Sequence, residues 1–150
     1  MSPIDPDYEQ RCRDSFERQP AMAALGIGIV EVGPGRVVLA MAHRADLTQQ
    51  HGFLHAGIVS TGLDAACGYA AFTLMPADAG VLTIEFKVNL LAPARGPELS
   101  FEATVTKAGR TISVVDARAV QSEPGSAERK LVATMTATVM TITGRADVRQ

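Results

Sequence analysis

From Gly57 to Met75 the chain is apolar or small, apart from scattered hydroxyl groups and one charge, Asp64. A helix that is apolar on all sides has to be surrounded rather than covered on one face, so this run dictates a fold that wraps around it. A carboxylate inside such a segment is costly to bury and marks a candidate chemical group. The run has about the length of a membrane span, but Asp64, three glycines (Gly57, Gly62 and Gly68) and few large aliphatic residues make a poor lipid-facing surface. It opens at His55-Ala56-Gly57, directly after the polar stretch Thr48-Gln49-Gln50-His51-Gly52. A candidate helix N-terminus and a candidate acid therefore fall in one short window.

A chain of 150 residues makes a single domain, and a domain of that size buries roughly 70% of the surface its unfolded chain exposes. With 14 basic and 16 acidic side chains the formal net charge is −2, which argues against a nucleic-acid or anionic-membrane surface. The N-terminus, Met1-Ser2-Pro3-Ile4-Asp5-Pro6-Asp7, lacks the basic start and apolar core of a signal peptide, so a cytoplasmic location is expected. Cys12 and Cys67 show no metal or redox spacing and are expected as free, buried thiols.

Residues 1–26 read as an N-terminal helical segment, with a helix from Tyr8 to Ala24 interrupted by Pro20, and residues 27–150 as the main domain. Ile27–Val32 and Arg36–Ala42 flank Gly33-Pro34-Gly35 and predict a hairpin. After the apolar helix come four strand-like runs, Val81–Ala92, Glu98–Lys107, Thr111–Gln121 and Lys130–Thr143, expected to pair consecutively and antiparallel. The order is β-β-α-β-β-β-β, an α+β class in which one curved antiparallel sheet wraps one helix. Sheet edges left open in such a fold are commonly paired across a twofold axis.

The run Gln49-Gln50-His51-Gly52-Phe53-Leu54-His55-Ala56-Gly57, followed by Asp64 nine positions after His55, and the strand Leu82–Asn89 leading into Leu90-Leu91-Ala92-Pro93 resemble the hotdog-fold acyl-CoA thioesterases. The resemblance is to the group of the phenylacetate-pathway and 4-hydroxybenzoyl-CoA thioesterases and covers the chain from Ile27 onward. It implies a hotdog fold, hydrolysis of acyl-CoA to a free acid and CoA, no cofactor or metal, and a homodimer, with a dimer of dimers left open. Asp64 falls where those enzymes place the carboxylate that attacks the thioester or activates water. Gln49 falls on the amide six positions before the motif histidine, and Thr83 on a Ser or Thr that assists the water. Ala56 stands where glycine is more usual, and Gly57 is retained.

The chemistry fits these residue types. Thioester hydrolysis builds negative charge on the carbonyl oxygen, and the unpaired N–H groups of a helix's first turn, here Ala56 and Gly57, suit that charge. A carboxylate then serves as nucleophile or general base. Eight residues of helical rise put Asp64 about 12 Å from the helix start, too far for both to reach one carbonyl group, so the spacing predicts a composite site between two copies. His55 is expected to shape the loop through hydrogen bonds. His51 and His55, four apart, have a zinc-like spacing that Gly52 and the loop context disfavour. Gly68, on the small-residue face of the helix, is a candidate substrate-binding position. Lys87, Arg95, Lys107 and Arg110 are candidate partners for CoA phosphates.

The bland alternatives are a structural acid at Asp64 bonded to Ser60 or Thr61, a solvated amide at Gln49, a strand-propensity Thr83, and solvated surface charges for the basic residues. The competing functions are a non-catalytic acyl-CoA binding or sensing protein and the hotdog dehydratases, whose motif is absent.

Overall fold

The computed structural model describes residues 1–123 and 125–150. Two short helices, α1 (Tyr8–Glu17) and α2 (Pro20–Leu25), precede a hairpin of β1 (Gly28–Gly33) and β2 (Arg36–Ala42). A loop holding a single 3-10 turn leads to α3 (Ala56–Phe72), followed by β3 (Gly80–Leu90), β4 (Glu98–Ala108), β5 (Ile112–Ser122) and β6 (Arg129–Ile142). The expected N-terminal helix is thus two helices, because Pro20 sits at the first position of α2, where its missing N–H costs nothing. Gly26, at φ +68°, ends α2 in the left-handed conformation that glycine adopts without strain.

One antiparallel sheet runs in the order β1-β2-β4-β5-β6-β3. Consecutive pairing holds for β1–β2, β4–β5 and β5–β6 but fails after the helix. β3 does not pair with β4; it lies at the far edge beside β6, and β4 pairs with β2 instead. The physical reason is the helix itself. α3 crosses the concave face of the sheet, so the chain leaves it at the opposite edge from the hairpin, and the proline-bearing segment Leu91–Pro97 carries it back to the middle.

The helix packs against β2, β3, β4, β5 and β6. Val59, Leu63, Ala66, Cys67, Ala70 and Phe72 are buried on that side. Gly62 explains how closely helix and sheet approach, for a Cβ there would fall 2.3 Å from the ring of the fully buried Phe101. The glycine costs about 1 kcal/mol of helix propensity, offset by burying an aromatic ring against bare backbone. The helix is not surrounded, however. Ala56 and Gly57 are exposed, and Ser60, Thr61, Asp64 and Gly68 only half-buried, so one stripe stays open in the isolated chain. The sequence expectation of a helix enclosed on all sides is corrected to this extent.

The far end of α3 is held by Arg11 of α1. Its guanidinium donates to the carbonyls of Phe72, Met75 and Pro76, lies 4.1 Å from the centre of the Phe72 ring, and is ion-paired with Asp5 at 2.7 Å. A cation at a helix C-terminus meets the negative end of the helix dipole and satisfies carbonyls that have no partner in the helix. Cys12 and Cys67 are free and fully buried; burial pushes the Cys12 thiol up to about 12 and raises that of Cys67 as well. Among the described residues, no helix is long and apolar enough to cross a membrane.

Candidate functional site

The loop before α3 is built around the side chain of Gln49. Backbone bonds from Gln49 N–H to Phe53 O (2.9 Å) and from Gly52 N–H to Gln49 O (3.0 Å) close a tight turn, which Gly52 enters at φ +83°. The Gln49 Oε1 sits inside that turn and accepts from the N–H groups of His51 and Phe53. The carboxamide is therefore oriented, with Nε2 as its outward end.

His55 is the N-cap of α3, and its Nδ1 accepts the Gly57 N–H at 2.9 Å. That assigns the two candidate donors different states. The Gly57 N–H is occupied by the cap, whereas the Ala56 N–H has no acceptor among the described residues. Gln49 and Ala56 line the same cleft of about 370 Å³, whose walls include Phe53, Val59, Leu90, Leu91 and Val132. Sequence reasoning missed these walls. Their signal was the Leu90-Leu91-Ala92-Pro93 run, in which apolar residues continue past the end of a strand.

Asp64 lies further along the open stripe of α3 and is half-buried. Ser60 and Thr61 do not bond to it; their hydroxyls donate back to the carbonyls of Ala56 and Gly57. Its partner is Thr83, whose Oγ1 donates to Asp64 Oδ1 at 2.8 Å. A β-bulge makes this contact. The β3–β6 register slips between Thr83 and Glu85, so Thr83, opposite Val139, and Phe86, opposite Ala137, both face the helix although they are three residues apart. One turn beyond Asp64, a Cβ on Gly68 would meet nothing within 4 Å.

The basic candidates separate. The Arg95 guanidinium lies 4.9 Å from the centre of the Phe53 ring, beside the cleft, and the Arg95 backbone N–H donates to Gln121 Oε1. Lys87 pairs across from Thr136 on the outer face of the sheet and bonds Asn89. Lys107 and Arg110 lie at the β4–β5 turn, the opposite end of β4 from Arg95. Both histidines of the zinc-like pair use Nδ1 to accept hydrogen bonds, His51 from Gln49 Nε2 at 3.2 Å and His55 from Gly57. In one chain, then, Gln49, Ala56 and Phe53 line the cleft with Arg95 beside it, and Asp64 and Gly68 of α3 lie further along the helix, where Thr83 of β3 meets Asp64.

Residues 51–128 match the thioesterase superfamily. The chain belongs to that superfamily. A thioesterase family protein from Silicibacter pomeroyi is 58% identical, with a TM-score of 0.89 over 91% of this chain and 99% of that one. The phenylacetic acid degradation protein PaaI from Thermus thermophilus is 27% identical, with a TM-score of 0.71 over 81% of this chain and 98% of that one. A candidate esterase from Saccharolobus solfataricus is 32% identical over 92 residues, 61% of this chain, and the chain spans 65% of that relative's length. Within the thioesterase superfamily, the sheet wrapped around one helix is the hotdog fold the sequence resemblance implied.

Proposed function

We propose that this thioesterase-superfamily chain hydrolyses an acyl-CoA thioester in a composite site between two copies. The observation that carries the reading is that Gln49 and Ala56, whose N–H has no acceptor among the described residues, line one apolar cleft at the start of a helix whose open stripe also bears Asp64. Two such donors brought to one carbonyl oxygen would stabilise the charge that develops on it. The dipole of α3 adds to this at its N-terminus.

The thioester carbonyl oxygen binds between Ala56 N–H and Gln49 Nε2–H. The carboxylate of Asp64 from the other copy either attacks the carbonyl carbon or takes a proton from the water that does. The C–S bond breaks, the thiolate leaves and is protonated, and one water is consumed overall to give a carboxylic acid and CoA. Within one subunit, Asp64 stands eight residues of helical rise from the donors, about 12 Å, so it serves the partner's cleft. A second copy also accounts for the edge strand β3, where Leu82, Ile84, Phe86 and Leu90 are each more than 40% exposed. Arg95, beside the cleft, is placed to meet a phosphate of CoA.

The test is subunit complementation followed by thiol release from a panel of acyl-CoA thioesters. Asp64→Asn and Gln49→Ala homo-oligomers are expected to lose activity. Mixed and reassembled, they regain about a quarter of the wild-type rate, because half the dimers are mixed and each carries one intact site. A mixture no better than its components would place all groups in one chain and end the composite reading.

A further inference from the structure

Resting on the role proposed for Gln49, we infer that His51 is a positioning residue that holds the Gln49 carboxamide in its donating orientation. Gln49 Oε1 is already spent on two backbone N–H groups of its own turn, so the amide presents Nε2 outward. An Nε2 group carries two protons. One is directed at His51 Nδ1, 3.2 Å away, and the other is left for the cleft that Gln49 lines. Because Nδ1 accepts there, the ring proton of His51 resides on Nε2, and the carboxamide is gripped from both ends: oxygen by backbone, nitrogen by imidazole.

The imidazole is itself held. Its ring stacks on Phe53, with centroids 6.3 Å apart and planes at 23°, and the Phe53 ring lies beneath the guanidinium of Arg95. The turn between Gln49 and Phe53 is tied from outside, where His43 Nε2 donates to Gly52 O at 3.0 Å. Loss of the imidazole frees the amide nitrogen to swing toward solvent while the backbone turn, which does not depend on the ring, remains closed. A donor that must be re-ordered at each turnover lowers the rate of the chemical step rather than substrate affinity.

Asparagine supplies the discriminating variant, since its Oδ1 stands where the histidine Nδ1 stands and accepts the same bond. Thiol-release kinetics are expected to show His51→Ala lowering kcat by about three- to tenfold with little change in KM, the scale of one neutral hydrogen bond. His51→Asn recovers most of that loss. In a Gln49→Ala background, His51→Ala has no further effect. An equal loss in that background would make His51 a structural residue of the loop and overturn the inference. The Gln49 side-chain amide signals in ¹⁵N-resolved NMR spectra give a second readout, expected to be shifted and protected in the wild type and the Asn variant and averaged in His51→Ala. Signals indifferent to His51 would also overturn it. A shift without any kinetic effect of Gln49→Ala would instead sustain the contact and remove Gln49 from the proposed function.

Discussion

The Thr83 hydroxyl donates to the Asp64 carboxylate across the gap between edge strand and central helix, at 2.8 Å, and a one-residue bulge in β3 brings it there. Thr83 is itself exposed in the isolated chain, so the bond lies outside the sealed core. One carboxylate oxygen is thereby fixed, and the other has no hydrogen-bond partner among the described residues.

Replacing Thr83 by valine keeps the branched shape and the strand propensity but removes the donor. The expected result is a fall in kcat of about tenfold or more, the scale of a hydrogen bond to a charged group, with the melting temperature nearly unchanged. Thr83→Ser restores the hydroxyl and most of the rate. Steady-state kinetics of the three proteins on one thioester substrate decide the point.

Arg11 should behave as a structural staple distant from the chemistry. Arg11→Ala removes three carbonyl contacts, a cation–π contact and an ion pair at the C-terminus of α3. The expected destabilisation is about 2–4 kcal/mol, read as a drop in Tm of roughly 2–4 °C for each kcal/mol in a chain of this size. Arg11→Lys, a point charge without the planar fork, recovers only part of it.

Two glycines of one helix are expected to respond oppositely to alanine. At Gly62 the new methyl would overlap the Phe101 ring, 2.3 to 2.6 Å away, and overpacking of a full core costs about 1–3 kcal/mol. At Gly68 nothing among the described residues lies within 4 Å of the added methyl, so helix propensity acts there, worth up to about 1 kcal/mol in favour of alanine. Thermal melts of Gly62→Ala and Gly68→Ala compared side by side check the contrast.

On the outer face of the sheet Glu102 is 8% exposed and accepts from Arg118 and Arg129. Burial alone would raise its pKa; the two guanidinium groups outweigh it and hold the carboxyl below the usual glutamate range. Its folded value being the lower one, its contribution is fully present above the unfolded glutamate pKa of about 4.3 and is lost as pH falls through the folded value. Glu102→Gln should cost about 1–2 kcal/mol at pH 7, since both arginines stay half-exposed and remain solvated. Urea melts in increasingly acidic buffer should show the difference from wild type shrinking.

The local chain fixed much of this protein. Hydrophobic runs and glycine-bearing turns set the strands and the helix to within a few residues, because periodicity and turn chemistry act over short distances. The motif from Gln49 to Asp64 carried the family for the same reason: a capped helix start and an acid at a set spacing are sequence-local. What tertiary structure decided was long-range. The placement of β3 beside β6 follows from the path of α3 across the sheet, and no propensity encodes which edge a chain reaches. Which of the Ala56 and Gly57 N–H groups is taken by a hydrogen bond depends on where the His55 ring turns. The Thr83–Asp64 and His51–Gln49 contacts need a bulge and a closed turn, whose formation is settled by packing and hydrogen-bond satisfaction in three dimensions.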